Sequence, residues 1–248
     1  MSFKDHFSAS AGGYAAYRPH YPAALFEWLA AQPATRELAW DCATGNGQAA
    51  VGLAPHFTTV HATDASREQL DHAEPRSNIR YCCEPAEHTS LPDASVDLLT
   101  VAQALHWFDI ERFFAEAQRV LKPGGVIAAW CYEQFATDGP LDAVLAEFYH
   151  DIVGPYWPPE RQLLEQGYRT LPWPFEPLTA PPLALEVTWP LSSLTGYLRT
   201  WSASKHYQEA MGQDPVALIE PRLAVLWGAP ELARRIVWPL SLRVGRKQ

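Results

Sequence analysis

The chain has 248 residues, 48% of them hydrophobic, and a formal net charge of −9. That is enough apolar material for one α/β domain with a sizeable core, and no stretch approaches the length of a membrane span. Neutralising nucleic-acid phosphates needs a basic stripe; the four lysines are scattered and the basic run from Arg243 to Lys247 is short, so nucleic acid is excluded as a partner.

Residues 1 to 13 read as a loose arm without an apolar leader, which points to a cytoplasmic protein. Tyr14 to Pro22 is dense in aromatics and prolines and precedes a predicted helix from about Ala23 to Ala31, with Leu25, Trp28 and Leu29 on one face. The apolar run Leu38 to Cys42 carries an acid at Asp41, turns through Ala43, Gly45 and Gly47, and opens into a helix from Gln48 to Ala54. A strand, a tight loop and a helix N-terminus form the corner where open α/β sheets bind nucleotides. A second strand, Val60 to Asp64, ends in a carboxylate able to accept both hydroxyl hydrogens of a ribose. Ser66 and Gln69 match a capping box for a helix to about Ala73, and Asn78 to Cys83 is a third strand.

Val96 to Ala102 is a continuous apolar fourth strand. Its carboxyl end leads to Gln103, His106 and Trp107, which should border the ligand crevice. Ile110, Phe113, Phe114, Ala117, Val120 and Leu121 recur at helical spacing; Lys122-Pro123-Gly124-Gly125 stops that helix before a fifth strand, Val126 to Tyr132. Prolines then crowd the chain. A helix from about Pro140 to Val153, an irregular segment to Ala180, a sixth strand Leu185 to Trp189, helices over Ser192 to Ala210 and Pro215 to Trp227, and a seventh strand Arg235 to Val244 complete the reading. The expected architecture is one α/β domain over 1–248. It is a doubly wound, Rossmann-like seven-stranded sheet, mostly parallel with an antiparallel last strand, with a core over 14–132, a helical and aromatic cap with strand six over 133–234, and the final strand over 235–244.

A dinucleotide fingerprint needs a third glycine where Gln48 stands. The pattern present, D-x-A-x-G-x-G over Asp41 to Gly47, resembles the first motif of class I S-adenosylmethionine-dependent methyltransferases, which usually have glycine where Ala43 stands. Further marks are similar to the trans-aconitate methyltransferase group: Tyr14-Ala15-Ala16-Tyr17-Arg18-Pro19-His20-Tyr21-Pro22, Ala86-Glu87 with Leu91-Pro92, His106-Trp107-Phe108, and Leu121-Lys122-Pro123-Gly124-Gly125. The resemblance implies S-adenosylmethionine as cofactor, with Tyr14 and Arg18 as a lid over its amino-acid end. It implies Asp41, Ala43, Gly45 and Gly47 along the cofactor, Asp64 on the ribose, Ala86 and Glu87 near the adenine, and Gln103 at the strand end. It also implies a small-molecule acceptor, carboxylates among the classes.

His106 stands at the mouth of strand four, as a candidate base or as an imidazole that hydrogen-bonds the cap and takes no proton. His106, Trp107, Tyr197, Arg199 and Trp201 are the expected acceptor pocket. The last three fall in one predicted helix, where Tyr197 and Trp201 share a face and Arg199 can pair an acidic group; ordinary helix packing is the alternative. Cys42, Cys82, Cys83 and Cys131 lack C-x-x-C spacing, so reduced thiols and no metal are expected. Two other functions stay open. A nicotinamide-dependent oxidoreductase is weakened by Gln48 and by the lack of a Tyr-x-x-x-Lys pair, and Ala43 is the hint of a protein that binds the cofactor without turnover.

Overall fold

An apolar run without alternation is stable only where helices cover both its faces, and Val96–Ala102 lies inside the sheet, between two parallel neighbours. A computed structural model describes residues 19–132, 134–137 and 139–248 of the chain. Strands β1 (Leu38–Cys42), β2 (Thr59–Asp64), β3 (Ile79–Cys83), β4 (Val96–Ala102) and β5 (Leu121–Tyr132) run parallel in the order β3-β2-β1-β4-β5. The chain lays β2 and β3 outward on one side of β1 and returns to place β4 on the other. That reversal leaves a crevice at the carboxyl ends of β1 and β4.

Alternation along each strand builds two cores. Ala39, Val60, Ala62, Leu98 and Ala128 face helices α1 (Ala23–Ala30) and α2 (Gln48–Leu53). On the other face, beyond the short α3 (Arg67–Leu70), Trp40, Cys42, Leu99, Val101 and Ile127 meet Phe113, Phe114, Ala117 and Val120 of α4 (Ile110–Val120). The Ser66 hydroxyl accepts the Gln69 amide hydrogen, so the predicted cap forms, although α3 stops three residues before Ala73.

The sheet has nine strands among the described residues instead of the expected seven. The additions are β6 (Ala136–Thr137) and β7 (Glu176–Leu178), too short for a period-two pattern to show in the sequence. Both pair with β9 (Arg234–Arg246), as does β8 (Ala184–Trp189). β9 runs antiparallel to β5, its last seven residues, Leu240 to Arg246, lying against Tyr132 to Val126. No helix of the described residues is long and apolar enough to cross a membrane.

The cap comprises α5 (Leu141–Glu147), α6 (Arg161–Glu165), α7 (Leu191–Arg199), α8 (Ser202–Met211) and α9 (Val216–Trp227). It has its own core, in which Phe148, Leu194, Tyr197, Trp201, Ile219 and Trp227 meet Trp238 of β9. The helix expected from Pro140 widens after Glu147 into a π-helical turn, closed by the Val153 amide on the Phe148 carbonyl. The single helix expected over Ser192 to Ala210 is two. Thr200 turns its hydroxyl back onto the Tyr197 carbonyl, Trp201 is extended, and its indole enters the aromatic core between Phe148, Tyr149 and Trp157.

Candidate active site

The loop after β1 is built around a buried acid. Asp41 has no exposed surface; its carboxylate accepts hydrogen bonds from the hydroxyls of Thr44 and Thr100 and from the Ala50 amide at the start of α2. Burial pushes its pKa up from 3.8 to about 6, against the pull of those three donors, and the charge of Asp64 adds to the rise. The backbone then alternates through left-handed conformations at Ala43 (φ 54°), Gly45 (58°) and Gly47 (85°). At Gly47 a Cβ would come within 2.5 Å of the Tyr81 hydroxyl oxygen, so glycine is required by contact as well as by conformation. At Gly45 a Cβ would meet only Gln69 Oε1, at 3.9 Å. The chain is therefore bare on that side of the loop, a cradle that a ligand can approach.

Asp64, at the tip of β2, ties this loop to the sheet. One carboxylate oxygen accepts the Gly45 amide at 2.9 Å and the other accepts the Ser66 amide at 2.8 Å. An ionised carboxylate offers about four acceptor positions, so the acid that braces the loop also has the chemistry to take a diol. Ala86 is buried beyond β3, and Glu87 accepts the Asp109 amide at 3.0 Å, next to the start of α4. Gln103 follows β4 in a left-handed conformation (φ 58°); its amide donates to the Trp130 carbonyl, and its side-chain Nε2 is buried with no partner among the described residues. A buried amide nitrogen without an acceptor is costly, about 1–3 kcal/mol, unless a ligand satisfies it. An unmet donor at the end of β4, a bare loop at Gly45 and a carboxylate at β2 fit a nucleoside carrying an amino-acid tail.

His106 lies in a 3-10 turn, Leu105–Trp107, and is held from the cap side. Its Nδ1 is 3.1 Å from the hydroxyl of Tyr168, whose ring stacks on the imidazole at 6.1 Å and 20°. The Trp107 ring is 4.6 Å from the imidazole on centroids. Burial pushes the His106 pKa down from 6.5 to about 3, and the nearby Arg161 cation acts in the same direction, so the ring is neutral near pH 7. Arg161 begins α6, which packs against this turn; its Nε donates to Tyr149 at 3.0 Å and its guanidinium lies 4.4 Å from the Trp157 ring centre. It has no carboxylate partner among the described residues.

Three acceptor-side expectations need correction. Arg199 is taken by Asp214 at 2.7 Å and Glu220 at 2.9 Å, half-exposed on the cap surface, so its charge is already matched. Tyr197 and Trp201 are buried in the cap core: Tyr197 accepts the indole N–H of Trp238 at 3.2 Å, and the rings of Phe135, Trp189 and Trp238 close around it. Both rings are used in packing. Tyr14 and Arg18 lie outside the described residues. Folding also gathers His61, Cys82 and Glu84, with one ligand-type atom from each within 4.8 Å of the others, although their spacing suggested no metal set; the His61–Glu84 contact at 3.3 Å and the Ser90 bonds to Glu84 account for the group. Sequence reasoning missed Tyr168 and Arg161. Their one local signal was Gly167-Tyr168 after a short amphipathic stretch, inside a proline-rich segment that reads as irregular.

Fold and loop together define a nucleotide-binding doubly wound domain with a cap over its strand ends. Residues 40–129 match the methyltransferase domain family. A Dictyostelium discoideum protein classed as a methyltransferase is 32% identical over 225 residues, which covers 89% of this chain and 86% of that one. The solved structure of an Anaeromyxobacter dehalogenans protein classed as a type II methyltransferase superposes with a TM-score of 0.89 at 47% identity, over 93% of this chain and 98% of the other. At 17% identity and a TM-score of 0.51, the [4+2]-cyclase SpnF shares the fold alone, over 97% of this chain and 91% of its own. The chain belongs to the class I S-adenosylmethionine-dependent methyltransferases.

Proposed function

We propose that the protein moves a methyl group from S-adenosylmethionine to a small-molecule acceptor held between the carboxyl ends of β4 and β5 and the cap. The observation that carries this reading is Gln103 Nε2 at the end of β4, without a partner among the described residues, beside a loop whose backbone is bare at Gly45. In this reading Asp64 takes the ribose hydroxyls, Ala86 and Glu87 border the adenine, and Asp41, Gly45 and Gln103 hold the amino-acid end. When bound, the cofactor supplies an activated methyl on a sulfonium. The residues of the chain bind, orient and exclude water, and alignment of that kind contributes up to ~7–11 kcal/mol to such a transfer. Calorimetry with S-adenosylhomocysteine tests the reading: the wild type binds, Asp64→Ala does not, and absence of heat with the wild type overturns it.

A carboxylate is the acceptor class we favour, with Arg161 in the place first expected for Arg199. Arg161 lines a groove of about 440 Å³ with Tyr149, Trp157, Gln162 and Glu165, and its guanidinium lies 4.4 Å from the Trp157 ring centre. It forms no direct ion pair among the described residues, Glu165 bonding the Tyr149 hydroxyl instead. A neutral His106 supports the same class, because a carboxylate attacks without first losing a proton.

A further inference from the structure

We propose that Tyr168 locks His106 into the tautomer that carries its proton on Nε2, so that His106 offers the methyl acceptor a hydrogen-bond donor and cannot serve as its base. The proposal rests on the methyltransferase reading for its function, and on the free protein alone for its geometry.

The protons available to the pair fix the tautomer. Tyr168 is fully buried, and desolvation raises its pKa well above 10, so the phenol keeps its proton. A buried hydroxyl hydrogen needs an acceptor. The Leu105 amide lies against the phenol oxygen and occupies one of its lone pairs, and the group opposite is His106 Nδ1 at 3.1 Å. Tyr168 therefore donates and Nδ1 accepts. A neutral imidazole has one N–H, and that leaves it on Nε2, which bonds to no described residue. The opposite tautomer would point two hydrogens at each other across 3.1 Å, or turn the phenol hydrogen away from the one side-chain acceptor within hydrogen-bond distance of it among the described residues. Arg161, Cys131 and Tyr21 are the other ionisable groups felt by the pair; the Arg161 cation works against protonating the ring.

Tyr168 is placed for this by a backbone most residues avoid. Gly167 (φ 55°) and Tyr168 (φ 59°) are both left-handed, and a bulky side chain rarely adopts that conformation. The turn is clamped from β9: Arg243 donates to the carbonyls of Tyr168 and Leu171, and a Cβ on Gly167 would come within 2.7 Å of the Ser241 hydroxyl oxygen. A strained tyrosine, pinned by a cation and aimed at one nitrogen of a histidine 62 residues away, is a positioning device. Its consequence is a donor that can hold an acceptor oxygen by one lone pair while another faces the methyl group. The proton of any hydroxyl or amine acceptor would have to leave by another route.

The test is the imidazole nitrogen spectrum of the full chain labelled with ¹⁵N-histidine, without cofactor. The wild type should show a single Nε2–H pattern for His106, unchanged from pH 5 to pH 8. Tyr168→Phe, which removes only the hydroxyl, should give tautomer-averaged nitrogen shifts. An Nδ1–H or imidazolium pattern in the wild type, or a Tyr168→Phe spectrum identical to it, overturns the proposal. Should Tyr168→Phe not fold, two His106 variants decide in the methyl-transfer assay. His106→Gln, which keeps an N–H near the Nε2 position, should exceed His106→Leu in kcat/KM by about tenfold, the worth of one hydrogen bond to a charged group; equal losses overturn the donor role. Homocysteine-form cofactor binding, measured on the same samples, separates a failure of the methyltransferase reading from a failure of the tautomer.

Discussion

Ala43 is the departure from the family pattern that the structure prices most directly, because it holds an L-residue at φ 54° in the cofactor loop. A left-handed conformation costs a residue with a Cβ roughly 1–2 kcal/mol. Ala43→Gly removes that cost, loses about 0.4–1 kcal/mol through the freer unfolded chain, and loses about 0.4 kcal/mol for a half-buried methyl. The three nearly cancel, so the variant should lie within about 1 kcal/mol of the wild type, on the stabilised side by roughly 0.4 kcal/mol at mid-range values. Ala50→Gly is the control. Ala50 is fully buried in α2, where glycine costs about 0.5–1 kcal/mol of backbone entropy and about 0.8 kcal/mol of methyl burial, and no strain is relieved. Urea unfolding of the three proteins should therefore place Ala43→Gly about 1.7–2.2 kcal/mol above Ala50→Gly. S-Adenosylhomocysteine should bind Ala43→Gly at least as tightly as the wild type, since the loop keeps its bends and loses only bulk. If the two glycine variants are equally destabilised, the left-handed turn at position 43 is not what holds this loop, and the account of the cradle fails with it.

Other outcomes follow from the same geometry. Asp41 has a folded pKa near 6 against 3.8, so the folded chain binds the extra proton between those values, and this group's contribution to stability falls as pH rises from 3.8 to about 6. Asp41→Asn should therefore gain on the wild type between pH 4 and pH 7 in denaturation midpoints, while weakening S-adenosylhomocysteine binding; a pH-independent difference would contradict a buried acid whose pKa is raised on folding. His106 contributes in the opposite sense, its depressed pKa adding stability as pH rises from about 3 to 6.5, so His106→Leu should flatten the acid limb of the stability curve. Arg161→Ala should raise KM for a carboxylate acceptor by tenfold or more on the scale of a charged hydrogen bond. Arg199→Ala, which breaks two surface pairs, should cost at most about 1 kcal/mol of stability and leave that KM alone. Reversed effects would return the acceptor to the cap surface.

The two halves of the site differ in how far the chain betrays them. Asp41, Gly45, Gly47 and Asp64 lie within 24 residues, and each is forced by its neighbours: the acid ends a strand, the glycines follow it, and the next strand ends in another acid. Thr100 read only as part of an apolar strand, and the 2.8 Å bond to Asp41 is what gives it a reason. The acceptor side has no such local grammar. Helical spacing put Tyr197 and Trp201 on one face, yet it could not register the break at Thr200 or the rings of Phe135 and Trp238 that enclose them. Arg199 read as an unmatched charge because its partners, Asp214 and Glu220, stand 15 and 21 residues on. β6 and β7 escaped notice because strands of two or three residues exist only where β9 offers an edge. Tyr168 and Arg161 come from a stretch whose prolines suppress any period, and they acquire meaning only when β9 and α6 press that stretch against the turn after β4. A cofactor loop is written in consecutive residues because its ligand is bound largely by backbone, whereas an acceptor pocket is made of side chains that meet across the fold. The choice of acceptor is therefore a tertiary property, and under the proposal above the pair formed by His106 and Tyr168 is where this chain would express it.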